Sequence, residues 1–126
     1  MRKLPVMLLL TTLFGGSVAS LPVLAHGNTE PQFGGIVKIV GEYSFELKQE
    51  ADSVKVWVFY DGEPLNASEL KLQLKIKGEN RKELVEVAAS NSNLFTGPAK
   101  LNVGDTVLAM LTLQDGVSKI VGKYSL

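Results

Sequence analysis

The one histidine of this 126-residue chain, His26, is its sharpest chemical hint. It follows Val23-Leu24-Ala25, whose side chains suit the −3 and −1 positions of a signal-peptidase cut. Cleavage after Ala25 makes His26 the first mature residue. Its free α-amine and imidazole Nδ1 then close a six-membered chelate on Cu(II) or another borderline ion. Glu30, Glu42 or Glu46, or water, would fill further positions. The mature chain offers one other soft donor, Met110, which lies in an apolar run and reads as a core gap-filler.

Other chemistry is thinly supplied. The chain has no cysteine, which removes disulfides, zinc fingers, iron–sulfur centres, thiol catalysis and lipid attachment together. A serine nucleophile would depend on a histidine at a chain terminus. Glu42 with Glu46, and Glu83 with Glu86, are carboxylate pairs that can share a strand face, but neither sits in a glycosidase context. Trp57, Phe59 and Tyr60 read as a core tryptophan and its neighbours in a central strand rather than as a binding platform. Phe33-Gly34-Gly35 is a flexible lead-in to the first strand and, without a following helix, no phosphate cradle. The expectation is a protein that is not an enzyme.

Residues 1–25 read as a secretory leader. Arg2 and Lys3 form the positive region, and Leu4 to Phe14 is apolar apart from Thr11 and Thr12. Two alternatives stand: a cut after Ala19, and a retained anchor, because no charge interrupts the stretch from Leu4 to Ala25. The expected location is the periplasm, with membrane contact only through the leader before cleavage. The whole chain balances 13 basic against 13 acidic side chains. Losing Arg2 and Lys3 leaves a small acidic excess, which argues against a nucleic-acid partner. A mature body of roughly a hundred residues is long enough to fold on its core alone.

The elements that must position these groups are strands. Leu70, Leu72, Leu74 and Ile76 alternate with Lys71, Gln73, Lys75 and Lys77, so one face is apolar and the other basic. Tyr43, Phe45 and Leu47 alternate with Ser44, Glu46 and Lys48. Val54, Val56 and Val58 alternate with Lys55, Trp57 and Phe59, so both faces are largely apolar and the strand should be central and covered on both sides. Runs at Val107–Leu113 and Ile120–Leu126 follow, and Arg81–Ala89 is read as a strand rather than a helix. Asp115-Gly116 is read as a tight hairpin turn; Asp61-Gly62-Glu63-Pro64, Gly78-Glu79-Asn80, Asn91-Ser92-Asn93 and Gly97-Pro98 mark other turns. About seven strands in this spacing predict an all-β, antiparallel β-sandwich over residues 36–126, preceded by a flexible segment at 26–35. The lysines at 55, 71, 75, 77 and 82 are read as solubilising surface charge.

A resemblance adds to this. His26-Gly27, Pro31-Gln32-Phe33-Gly34-Gly35, Phe45-Glu46-Leu47 and Val56-Trp57-Val58-Phe59-Tyr60-Asp61-Gly62-Glu63-Pro64 resemble a group of small exported bacterial proteins. Those proteins begin, once mature, with His-Gly and continue with His-Gly-Gly, a Phe-Glu-Leu strand and an Asp-x-Gly-Lys-Pro-like turn. Similar domains stand at the front of some periplasmic adaptors of heavy-metal efflux systems. The resemblance implies an immunoglobulin-like or copper-resistance-like β-sandwich linked to copper or other heavy metals, with an envelope or efflux-system protein as partner. This chain departs from the pattern at Phe33, where the group carries a second histidine. Of the group's metal ligands only His26 carries over, with Glu30 as a neighbouring ligand from this chain. The rival expectation is a protein-interaction module of the envelope with no metal site, engaging its partner by strand addition.

Overall fold

A computed structural model describes residues 30–126. They form nine strands: β1 (Ile36–Val40), β2 (Tyr43–Glu50), β3 (Ser53–Tyr60), β4 (Glu63–Pro64), β5 (Lys71–Gly78), β6 (Arg81–Ala89), β7 (Leu94–Pro98), β8 (Thr106–Thr112) and β9 (Lys119–Ser125). The described residues hold no α-helix; one 3₁₀ turn, Ala67–Glu69, is capped by Asn66, whose Oδ1 accepts from Ser68 N.

All strand pairs are antiparallel, in the order β1-β2-β3-β7-β6-β5-β8-β9, with β4 appended to β3. β6 joins the two halves: its length to Val87 pairs with β5, and its end, Ala88 and Ala89, pairs with β7. The sheet curls until its two ends meet. The Phe45 ring of β2 lies against Gly122 of β9, and the buried Tyr124 hydroxyl donates to the Phe45 carbonyl at 2.9 Å. The result is nearly a barrel. Its interior is filled by the alternate residues that period two predicts: Phe45, Leu47, Val54, Val56, Val58 and Phe95 from one half, and Leu72, Leu74, Ile76, Val107, Ala109 and Leu111 from the other.

The strand count exceeds seven because β4 has only two residues and β7 lies between two turn-rich stretches. The Asp-Gly reading also moves. Asp61 and Gly62 both take positive φ, 52° and 82°, between the paired Tyr60 and Glu63, which is the two-residue hairpin geometry. Asp115 has no positive φ, and the β8–β9 connection is a longer loop closed by Leu113 N donating to Ser118 O at 2.9 Å.

That loop is pinned by Asp115. Its Oδ1 accepts from Val117 N (2.9 Å) and Ser118 N (2.8 Å), and its Oδ2 from Ser118 Oγ. These donors, the Ser118 hydroxyl foremost, hold the carboxyl down to about 2 from an ordinary 3.8. A depressed folded value means that the loop's bonds are fully effective above the unfolded value and fade as pH falls through the folded one. The amide signal of Ser118 in an NMR pH titration is therefore expected to move with a midpoint near pH 2. A midpoint near the ordinary aspartate value would remove the Asp115 anchor.

Candidate functional site: the outer face of β2 and β3

Side chains of β2 and β3 that do not enter the core point to the opposite face. Ser44, Glu46 and Lys48 share it with Lys55, Trp57 and Phe59, and Glu46 stands directly across from Trp57. An alternating strand normally gives such a face to water. Here Glu46 is 1% exposed and Trp57 8%. The cover is the segment 30–35, expected to be flexible, which lies across them.

Glu46 holds that segment. Its Oε1 accepts from Gln32 N, and its Oε2 from Phe33 N and Gly35 N, each at 2.8 Å. A buried carboxylate is tolerable only when its charge is met by donors, and three backbone N–H groups meet it. Gly35 is needed for the approach: a Cβ there would stand 2.4 Å from the Leu47 carbonyl oxygen, a backbone atom held in the sheet. Phe33 completes the clamp by stacking on Trp57, with ring centroids 4.2 Å apart and planes 8° from parallel.

Trp57 is thus buried, but under the strap rather than in the inner core, from which Trp57 and Phe59 are both absent. At Trp57, β3 is covered on both faces, by the core on one and the strap on the other. Because Trp57 is the chain's one tryptophan, its emission reports the clamp directly. Phe33→Ala is expected to shift that emission to longer wavelength while leaving the β-sheet circular dichroism unchanged. Unchanged emission would mean that Phe33 does not shield the indole.

The residues proposed for metal fare differently. His26 lies outside the described residues. Glu30 is exposed at the start of the strap. Glu46 is 1% exposed and turns both oxygens to backbone donors under the strap, which leaves a metal ion no open approach to it. Glu42 sits beside the Tyr60 hydroxyl, and its hydrogen bond and charge push that phenol up from its ordinary value. Met110 is not a core filler: its register with Gln73 and Val121 turns it outward, half-buried. Glu83 and Glu86 do not form a pair, because an odd spacing along β6 sends them to opposite faces. Among the described residues, no three His, Cys, Asp or Glu side chains gather where they could hold a metal ion.

A shallow cleft of about 310 Å³ opens at one end of the body between Tyr43, Leu65, Glu69, Leu70 and Leu113. Its carboxylates are engaged, Glu69 by Gln114 and Asp115 by its own loop. It brings together no nucleophile and base. Family models, curated proteins and solved structures give no match to this chain.

Sequence reading missed the role of Glu46. The signal that could have found it is a carboxylate between two core residues, Phe45 and Leu47, opposite an aromatic, with a Gly-Gly pair upstream to let a backbone come close.

Proposed function

We propose that this protein is an exported, non-catalytic accessory domain of the cell envelope that presents its N-terminal segment from a rigid β-body. After leader removal that segment begins with His26, and its α-amine and imidazole Nδ1 take Cu(II), with Glu30 or water completing the coordination. The recipient is an efflux-system or other envelope partner. The observation that carries this reading is the Glu46 anchor: a buried carboxylate commits three backbone bonds to holding the chain immediately after this segment. Positions 32–35 are thereby fixed at one place on the body.

For the body we propose the immunoglobulin-like sandwich. Reading β2, β3, β5, β6, β7, β8 and β9 as its seven successive strands, the neighbours β2-β3-β7 and β5-β8-β9 are those of the two immunoglobulin sheets, while β6 bridges them, pairing with β5 over seven positions and with β7 over two. β1 and β4 are then additions at the margin. The absence of a second imidazole at Phe33 fits a labile site rather than a storage site, which suits transfer to a partner.

Titration of the secreted, mass-verified protein with Cu(II) is the test. A weak d–d absorption band is expected to grow to one equivalent and to disappear in His26→Ala. No band, or a band that survives His26→Ala, would end the metal proposal.

A further inference from the structure

The outward face of β5, β6, β8 and β9 is predominantly basic. Register places Lys71, Lys75, Lys77, Lys82, Lys119 and Lys123 on it, in rows such as Leu84-Lys75-Leu108-Lys123 and Glu86-Gln73-Met110-Val121. Among the described residues none of these six lysines is in an ion pair, whereas Lys48, Lys55 and Lys100 all are. Carboxylates there are few. Glu86 is bonded to the Gln73 amide, and Glu83 at the rim is held by Arg81. Glu42, Glu50, Asp52, Asp61 and Glu63 belong to β2, β4 and the turns that flank β2 and β3, while Glu69, Glu79, Asp105 and Asp115 lie in the connections that flank β5, β6, β8 and β9.

Apolar side chains are set among the lysines. Leu84 is 60% exposed and Val121 44%, with Leu108 and Met110 half-buried beside them. Two shallow depressions, of about 510 and 250 Å³, are flanked by Lys75 and Lys82 and by Lys71 and Lys119. Surface solubility alone would ask for mixed signs and no protruding leucine.

We propose that this face docks the protein on an anionic phospholipid bilayer. A broad four-stranded face matches a bilayer plane better than it matches a peptide strand, which needs a free edge or a deep groove. Lysine, rather than arginine, acts as a point charge toward a diffuse layer of phosphates. Leu84 and Val121 reach the level of the headgroups, and the long lysine stems let the ammonium groups stay with the phosphates around them. The strap on the outer face of β2 and β3 then points away from the bilayer, so docking and presentation do not compete.

Flotation of the processed protein with vesicles tests this. Co-flotation is expected with phosphatidylcholine vesicles containing about one quarter phosphatidylglycerol, and not with phosphatidylcholine alone, and it is expected to weaken as salt rises. Lys75→Glu with Lys123→Glu is expected to weaken binding by about tenfold or more, and Leu84→Ser several-fold. Lys100→Glu, on a lysine paired to Asp52 outside this face, should leave binding unchanged. Free inorganic phosphate at matched ionic strength should not compete beyond its salt effect. No flotation at low salt, or flotation indifferent to the double charge reversal, would overturn the proposal. So would equal binding to a soluble polyglutamate with no dependence on Leu84, which would assign the face to an acidic protein.

Discussion

Replacing Glu46 by alanine is expected to destabilise the protein by about 2–3 kcal/mol and to lower its thermal midpoint by roughly 10–20 °C. The reasoning starts from the three N–H groups of Gln32, Phe33 and Gly35, which have this one carboxylate as their acceptor. Bonds to a charged acceptor are the stronger kind, and deleting the acceptor under a docked strap would leave three partly buried donors unmet. The chain avoids that cost by lifting the strap, which gives the donors to water but takes the Phe33 ring off Trp57. Glu46→Ala should therefore lower the melting midpoint and move Trp57 emission to longer wavelength together. Glu46→Gln keeps one acceptor oxygen and should fall between the two. A midpoint within a degree or two of the parent would show that the strap contributes nothing to the fold.

Phe45→Ala should do more harm, about 3–5 kcal/mol, enough to consume much of the stability of a domain this size. Phe45 is fully buried, and its ring fills the place where β9 closes on β2, with Gly122 against the ring edge. Truncation removes the ring that packs on Gly122 and leaves a cavity at the seam. Tyr124→Phe at the same seam is a useful contrast. It removes only the hydroxyl that donates to the Phe45 carbonyl, and should cost about 1 kcal/mol. Denaturant unfolding followed by circular dichroism measures both. A loss for Phe45→Ala no greater than that for Tyr124→Phe would mean that the seam is loosely packed.

Much of the fold is legible in the chain, because burial on a pleated strand writes itself at period two. Leu72, Leu74 and Ile76 point inward from β5 as their spacing requires, and Arg81–Ala89 is a strand over its whole length although its residue types also suit a helix. Its partners β5 and β7 decide, and propensity does not. Periodicity fails where a segment is too short to show it, as in β4 and β7, and where the outer side of a strand is covered. Trp57 illustrates the second case: its burial was expected, but the strap that supplies it is not encoded near position 57. Glu46 fails for a related reason. An acidic residue in a strand reads as solvated, and only tertiary pairing supplies the donors, here the backbone eleven to fourteen residues back. The lysine face was visible strand by strand. Its clustering of six lysines emerges only when register lays four strands side by side.

Amide hydrogen exchange at Gln32, Phe33 and Gly35 tests the strap most directly. Anchored by Glu46, these three amides should exchange far more slowly than an open chain in the parent protein and revert to open-chain rates in Glu46→Ala, while β3 amides such as Val56 stay protected in both. Open-chain exchange at all three in the parent would mean that nothing fixes the start of the mature chain to the body, and presentation of His26 from a rigid platform would have to be abandoned.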